Sequence, residues 1–402
     1  MSLWLKSKEN IELIEYYELE RYSGEKQHRT PFRSKDEAIK LIDSLLKDRG
    51  LSINDMQAVW GTPLLQTRDD YDSVEDYPEL AYHSVCHLFS SLLMDTDIFY
   101  NENILALAPD GGPDLVVDRK ALEKNAYAGC YSEHGSVRMF RCSSPGRFWD
   151  NISYDKKLRE GTLMALAGAT SCEFTDAGDA PVFIYNGSTV KSEYNSLKNY
   201  LDNIRRREEH INKYNINRKT IGYDERFTFG ENITSATMKR VQEMSRFIMY
   251  ENIRNKIEKY KINPSDTYLS LSGGYALNCP TNSYLMDSFG FKGFLTPPCP
   301  NDCGQSMGIA LYAFYKHMEK INFKLKTSYY GHEDNRDIKQ ILSEFGDYIE
   351  SVEEFNPYTA VQDICEEPVV WFNGKSEIGP VSYTHLDVYK RQYQLSYQIK
   401  RP

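Results

Sequence analysis

Two stretches in the second half of the chain repeat one plan, and that plan constrains the fold more than anything else in the sequence. In "TYLSLSGGYALNCPTNSYLMDSFG" a short apolar run meets Ser272, Gly273 and Gly274, and a helical pattern follows. In "KGFLTPPCPNDCGQSMGIALYAFYKHM" a second run passes through "NDCG" into another helix. Strands that end on glycine-containing turns and hand over to helices define an α/β protein, with sheets covered by helices.

The rest of the chain fits that class. "SLWLKSKENIELIEYYELE" reads as two short strands around a polar turn. "SKDEAIKLIDSLLKDRG" predicts a helix with Ser34 as its N-cap and Gly50 just past its end. "MQAVWGTP" reads as a strand stopped by Gly61 and Pro63. "YPELAYHSVCHLFSSLLMD" predicts a helix with Pro78 near its first turn. "NILALAPDGGPDLVVD" reads as a buried strand, a turn and a second strand, with further strand signals to about Cys142. A long helix is expected over Thr234–Tyr260. The charged, Asn- and Lys-rich region 189–226 reads as a surface insertion, and its "RREEH" as a solvated helix face. No short-period internal repeat is visible.

Bulk properties exclude several function classes. With 402 residues, the chain can bury a sizeable core. A net charge of -10 gives no general attraction to phosphate backbones, so nucleic acid is not an expected partner. No run of about 18 apolar residues exists to span a membrane. The N-terminus lacks the apolar core and cleavage site of a signal peptide. The eight cysteines form no CxxC pair, which points to scattered thiols in a reducing cytoplasm.

Three places carry chemistry. His83 and His87 stand one helical turn apart, opposite the apolar stripe of Val85, Leu88, Phe89 and Leu92. Two imidazoles at i, i+4 are able to share one metal ion; the plain alternative is a pair of surface histidines. In "LALAPDGGPD" a strand ends at Asp110, before Gly111 and Gly112. Glycines let a backbone approach a phosphate, and a strand-end Asp can hold a cation; the plain alternative is a β-turn. The third place is the repeated plan itself. Ser272, Gly273 and Gly274 open a turn able to hold a nucleotide against a helix start, while Asp302 sits where an N-cap belongs. Cys299 and Cys303 lack zinc-site spacing and read as structural. There is no Ser-His-Asp or Cys-His arrangement and no Walker-type loop, so no catalytic residue is assigned.

Taken in order, "ELERYSGEKQH", "HSVCH", "DGG", "GTLMALAG", "LSGGYALNCPTN", "NDCGQSMGIAL" and "VVWFNGKSEIGP" resemble the carbamoyltransferase family of nodulation and antibiotic O-carbamoyltransferases. The likeness extends over nearly the whole chain up to Pro380. It implies an actin, sugar-kinase and chaperone ATPase-like fold with two ribonuclease-H-like lobes, followed by a C-terminal adenylating domain. It implies a first lobe over 1–100, a second over 101–325 containing the insertion, and the start of the C-terminal domain over 326–380. The implied reaction makes carbamoyl adenylate from carbamoyl phosphate and ATP. The carbamoyl group then moves to a hydroxyl of a small-molecule acceptor beside a metal, usually Fe2+. Carried over by position, His83, His87, Asp110 and Asp302 are the expected metal ligands. Ser272, Gly273, Gly274 and Asn278 are expected to line the nucleotide pocket, with Gly111 and Gly112 near the phosphate. A homodimer is a possible assembly.

The chain departs from that family at both ends. After "EIGP" the family continues into an Arg-rich run that holds carbamoyl phosphate, and here Val381 follows Pro380. The stretch "VSYTHLDVYKRQ" resembles the translated junction of two transposon ends used to prepare sequencing libraries. Residues 381–392 therefore read as an assembly artefact, with a foreign tail over 393–402, and His385 is not counted as a ligand. A chain stopped at Pro380 is expected to lack carbamoyl adenylate synthesis. By the same resemblance, the family's usual N-terminal His-Asp hairpin is expected to be missing, and the first lobe to lack its first strand. Two alternatives stand beside the transferase reading. One is a nucleotide-binding module of actin-like ATPase fold without catalysis. The other is a relative of the tRNA threonylcarbamoyl transferases, which the acidic balance and the "SEIGP" remnant argue against.

Overall fold

The computed structural model describes residues 1–23, 34–61, 77, 79–112, 127–174, 199, 202, 206, 220–333, 336–369 and 374–379. Strands β1 (Ser2–Ser7) and β2 (Asn10–Tyr16) form an antiparallel hairpin, as the polar turn between two apolar runs predicts. Helices α1 (Leu19–Ser23) and α2 (Lys35–Leu46) follow. The Ser34 hydroxyl accepts from the Glu37 N–H at 3.2 Å, and Gly50 ends the helical region at φ 65°. The expected strand at "MQAVWG" does not form. A strand needs a partner strand to take its backbone groups, and no strand pairing to 56–61 forms among the described residues; Trp60 packs on Phe314 and His317. Helix α3 (Tyr82–Leu92) begins later than expected, and Pro78 lies outside the described residues.

Helix α4 (Thr96–Asn101) leads into β3 (Asn103–Leu107), β4 (Tyr127–Glu133) and β5 (Ser136–Cys142). The expected strand "DLVVD" lies outside the described residues. Helices α5 (Gly146–Lys156) and α6 (Glu160–Ala169) come next, then the small strands β6 (Glu173–Phe174) and β7 (Thr220–Ile221). The expected insertion and its helix lie almost wholly outside the described residues. The long helix α7 (Phe229–Tyr260) starts earlier than predicted, because Thr228 and Glu231 close a reciprocal capping box. Then come β8 (Thr267–Leu271), α8 (Cys279–Phe289), β9 (Gly293–Leu295) and α9 (Gln305–His317). Helices α10 (Ile338–Phe345) and α11 (Pro357–Glu366) complete the described elements.

The protein is mixed α/β. Its central sheet has the order β5-β4-β3-β8-β9. Strands β3, β4 and β5 form an antiparallel meander, and β8 and β9 run parallel to β3. Leu105 and Leu107 point to one face, into a core shared with Met238, Met244 and Leu269. Ile104, Ala106 and Ala108 point to the other, against Val85, Phe89, Leu311 and the hairpin residues Ile11 and Leu13. This two-residue alternation in an apolar strand explains why helices cover both faces. The segment 374–379 returns to the body, where Ile378 is buried and the Gly379 N–H donates to Glu18 Oε1 at 2.7 Å. Among the described residues no helix is long and apolar enough to cross a membrane, and all eight cysteines are free thiols.

Candidate metal centre

The sheet topology decides where a site can form. Strands β3 and β8 are parallel neighbours, yet the chain leaves β3 toward β4 and leaves β8 toward β9, on opposite sides. Loops that diverge from adjacent parallel strands open a crevice at their carboxyl ends. Asp110 follows β3, and Gly273 and Gly274 follow β8, so both turns stand at that crevice.

Helix α3 brings the histidines to it. The Ser84 hydroxyl donates to the Ala108 carbonyl at 3.2 Å and accepts from the Ala128 N–H at 2.7 Å, which fastens the helix to β3 and β4. On the other side α9 crosses α3 closely. A Cβ on Gly308 would collide with the Cys86 carbonyl oxygen, so only glycine allows this approach. Gln305 Nε2 also donates to the His83 carbonyl at 3.1 Å. The crossing carries the turn before α9, and with it Asp302, to the imidazoles. Neither that turn nor α9 has a side-chain cap, so Asp302 does not serve as the N-cap its position suggested.

His83, His87, Asp110 and Asp302 each present a ligand atom, all within 4.8 Å of one another. His83 Nε2 lies 2.9 Å from Asp110 Oδ2 and 3.4 Å from Asp302 Oδ1. His87 Nε2 lies 3.1 Å from His83 Nε2 and 3.3 Å from Asp302 Oδ1. Ligand atoms about 2.1 Å from a shared ion stand roughly 3.0 to 3.4 Å apart in octahedral or tetrahedral geometry. Most of the separations fall in or close to that range; His87 Nε2 to Asp110 Oδ2 is wider, at 3.8 Å. Two nitrogens and two carboxylate oxygens suit a divalent transition metal. The histidines are not surface residues: His83 and His87 are 2% and 0% exposed. Asp302 exposes 73% of its side chain and forms the mouth of the cluster.

Electrostatics bind the set together. Burial disfavours the His83 imidazolium, but hydrogen bonds to Asp110 and Asp302 outweigh it and raise the His83 pKa to about 10. Desolvation acts upward on Asp302, and the two imidazoles outweigh it, holding the carboxyl well below the usual range. Solvent at the exposed mouth screens part of that pull. Both Nδ1 atoms are buried without a hydrogen-bond partner among the described residues.

The glycine turn after β8 is locked to the cluster. The Gly274 N–H donates to Asp110 Oδ1 at 2.9 Å, and the Gly273 N–H donates to the Pro300 carbonyl at 2.7 Å. Gly273 has φ 83°, and a Cβ there would strike the Pro109 carbonyl oxygen. The other expected nucleotide residues are placed less openly. Ser272 is fully buried, with its hydroxyl 3.3 Å from that of Ser91. Asn278 is 5% exposed and exchanges both amide hydrogen bonds with Gln242, at 3.0 Å each, while capping the Thr281 N–H. Gly111 and Gly112 lie beside α5, where a Cβ on Gly112 would stand 3.1 Å from Arg147 Nη1. Gln242, Ser84 and Arg147 carry no motif that marks them in the sequence; only the sheet topology brings them here.

No family model matches the chain, and no curated protein matches it. Among solved structures, similarity is found to the Acidaminococcus fermentans (R)-2-hydroxyglutaryl-CoA dehydratase component A, at 15% identity and TM-score 0.37, covering 71% of this chain and 86% of that one. It is also found to the activator of the 2-hydroxyisocaproyl-CoA dehydratase from Clostridium difficile with bound ADPNP, at 13% identity and TM-score 0.36, covering 71% and 84%. Overlaps this loose fix neither the fold nor the function.

Proposed function

We propose that the chain is the metal- and nucleotide-binding body of a carbamoyltransferase of the nodulation and antibiotic type, which moves a carbamoyl group to a small-molecule hydroxyl. The observation that carries this reading is the meeting of His83, His87, Asp110 and Asp302, from three distant segments, at spacings suited to one ion. The sheet supports the fold that goes with it. An antiparallel meander, extended by two strands parallel to its first, is the arrangement expected of one ribonuclease-H-like lobe in an actin-like ATPase. A divalent ion held by these four side chains, Fe2+ by the resemblance, would supply a Lewis acid that polarises a carbonyl or phosphoryl oxygen. The chain's own part is positional. Asp110 and Gly274 tie the ion site to the glycine turn, and Asp302 leaves the mouth open to a ligand. ATP and carbamoyl phosphate are the proposed co-substrates.

The coarser reading is a nucleotide-binding module of the same fold without transfer chemistry. The sheet and its switch-point turns favour it, because they need no transferase reaction to explain them. Iron content and the affinity for a non-hydrolysable ATP analogue, each with and without chelator, separate the two. For the transferase reading, iron is retained in the wild type and lost in the His83→Ala, His87→Ala double variant, and chelation weakens nucleotide binding. Nucleotide binding that ignores both the chelator and the double substitution would leave only the module.

A further inference from the structure

Asp302 is the least supported member of the cluster. The two histidines are built into a buried helix, and Asp110 Oδ1 takes the Gly274 N–H. The Asp302 carboxylate reaches the two imidazoles and no other side-chain partner among the described residues. Its place is therefore set by the backbone of the segment 298–304, between β9 and α9. That segment folds tightly on itself. Cys299 is fully buried, a Cβ on Gly304 would strike the Cys299 carbonyl oxygen, and the Gly304 N–H donates to the Asn301 carbonyl at 2.8 Å. A shift at either end of it reaches Asp302.

Both ends are gripped from the side of the hairpin. The hydroxyl of Tyr16, at the end of β2, donates to the Cys303 carbonyl, and Tyr16 itself is buried. At the other end Gly379, at φ 104°, lies so close to the segment that a Cβ would strike the Pro298 carbonyl oxygen. Gly379 is kept there by its own N–H, which donates to Glu18 Oε1 at 2.7 Å. The two grips are joined to each other. The Tyr16 N–H donates to the Tyr330 carbonyl at 2.7 Å, the Gly331 N–H to the Ser376 carbonyl at 2.9 Å, and the Ile378 N–H to the Ser328 carbonyl at 2.8 Å. The hairpin end, 328–331 and 376–379 thus make one bonded layer against the Asp302 segment.

We propose that Tyr16 and Gly379 are positioning residues for Asp302, which set it as the fourth ligand of the metal centre and tie ion affinity to the docking of 376–379. This rests on the metal reading of the cluster and needs no particular reaction. Neither residue touches the ion; both act on the backbone on either side of Asp302. An outer contact that fixes a ligand in place is worth about tenfold to a hundredfold in metal affinity.

Titration of the metal-free chain with Co2+, read by calorimetry and by the visible spectrum of the bound ion, decides the matter. Tyr16→Phe removes only the hydroxyl, and Gly379→Ala displaces the returning segment. Each is expected to weaken Co2+ binding by about tenfold, and to move the spectrum toward that of Asp302→Ala. Added to Asp302→Ala, each is expected to cost less than about twofold more, because the ligand it positions is already gone. A general loss of structure would weaken Co2+ equally in both backgrounds, and that result would overturn the proposal. Wild-type affinity and spectrum in both single variants would overturn it too, and leave the metal reading standing. Gly379→Ala carries the test if Tyr16→Phe does not fold. A wild type that binds no Co2+ would overturn the metal reading and this inference with it.

Discussion

Each imidazole of the cluster turns one nitrogen inward and leaves the other buried, without a hydrogen-bond partner among the described residues. The inward nitrogens face the carboxylates of Asp110 and Asp302, a setting that calls for something positive between them. Without a cation, that something is a proton on His83, held to a pKa of about 10 by Asp110 and Asp302 against the opposing effect of burial. A metal needs the neutral ring and must displace that proton. The sign follows: below pH 10 metal uptake releases a proton, and affinity rises with pH, by up to about tenfold per unit. Metal titrations in two buffers of different ionisation enthalpy will report the proton, and a flat affinity between pH 7 and 9 would contradict it. How far such a site is legible depends on sequence distance. The i, i+4 spacing of His83 and His87 is local, and a strand-end Asp-Gly-Gly announces itself. The internal use of Asn278 was not legible, because its amide partner Gln242 lies 36 residues away on another helix.

Among the elements, the contact between α3 and α9 governs the site. Gly308 sits where any side chain would drive the helices apart. Gly308→Ala is expected to destabilise the fold by about 1 to 3 kcal/mol through overpacking, and to weaken metal binding by moving Asp302 away from the histidines. Denaturant melts of the chelated protein and metal titrations of the folded fraction measure the two effects separately; a full-strength metal site in a destabilised variant would refute the coupling. The α/β class was legible because each glycine turn between a strand and a helix is punctuated within a few residues. The strand expected at "MQAVW" failed for the converse reason. An apolar run states a willingness to be buried, and a distant partner decides whether it becomes a strand. The early start of α7 came from a capping box at Thr228 and Glu231, a local signal that apolar periodicity alone passes over.

For the molecule as a whole, stability is unevenly spread. No side chain in α10 or α11 is buried, and Tyr348, Phe355 and Tyr358 are 88%, 67% and 83% exposed. Regions with so few buried contacts open at little cost. Among the described residues, limited proteolysis is therefore expected to cut within 336–369 before it cuts the two-faced sheet. The fragments should stay together after the cut. The returning segment is anchored by Ile378, by the Gly331 N–H to Ser376 carbonyl bond of 2.9 Å, and by Glu18. Gel filtration of the nicked protein checks this, and fragments that separate without denaturant would count against it. The carboxylate of Asp110 reaches further still. One of its oxygens faces the imidazoles while the other holds the Gly274 amide, so two neighbouring sites lean on a single side chain. Thermodynamic linkage then works in both directions: any occupant that tightens one oxygen's grip alters the affinity of the other's partner by the same factor. An ion at the imidazoles and a ligand at the glycine turn, if both bind as proposed, would be sensed cooperatively, with a three-atom lever in place of a domain movement.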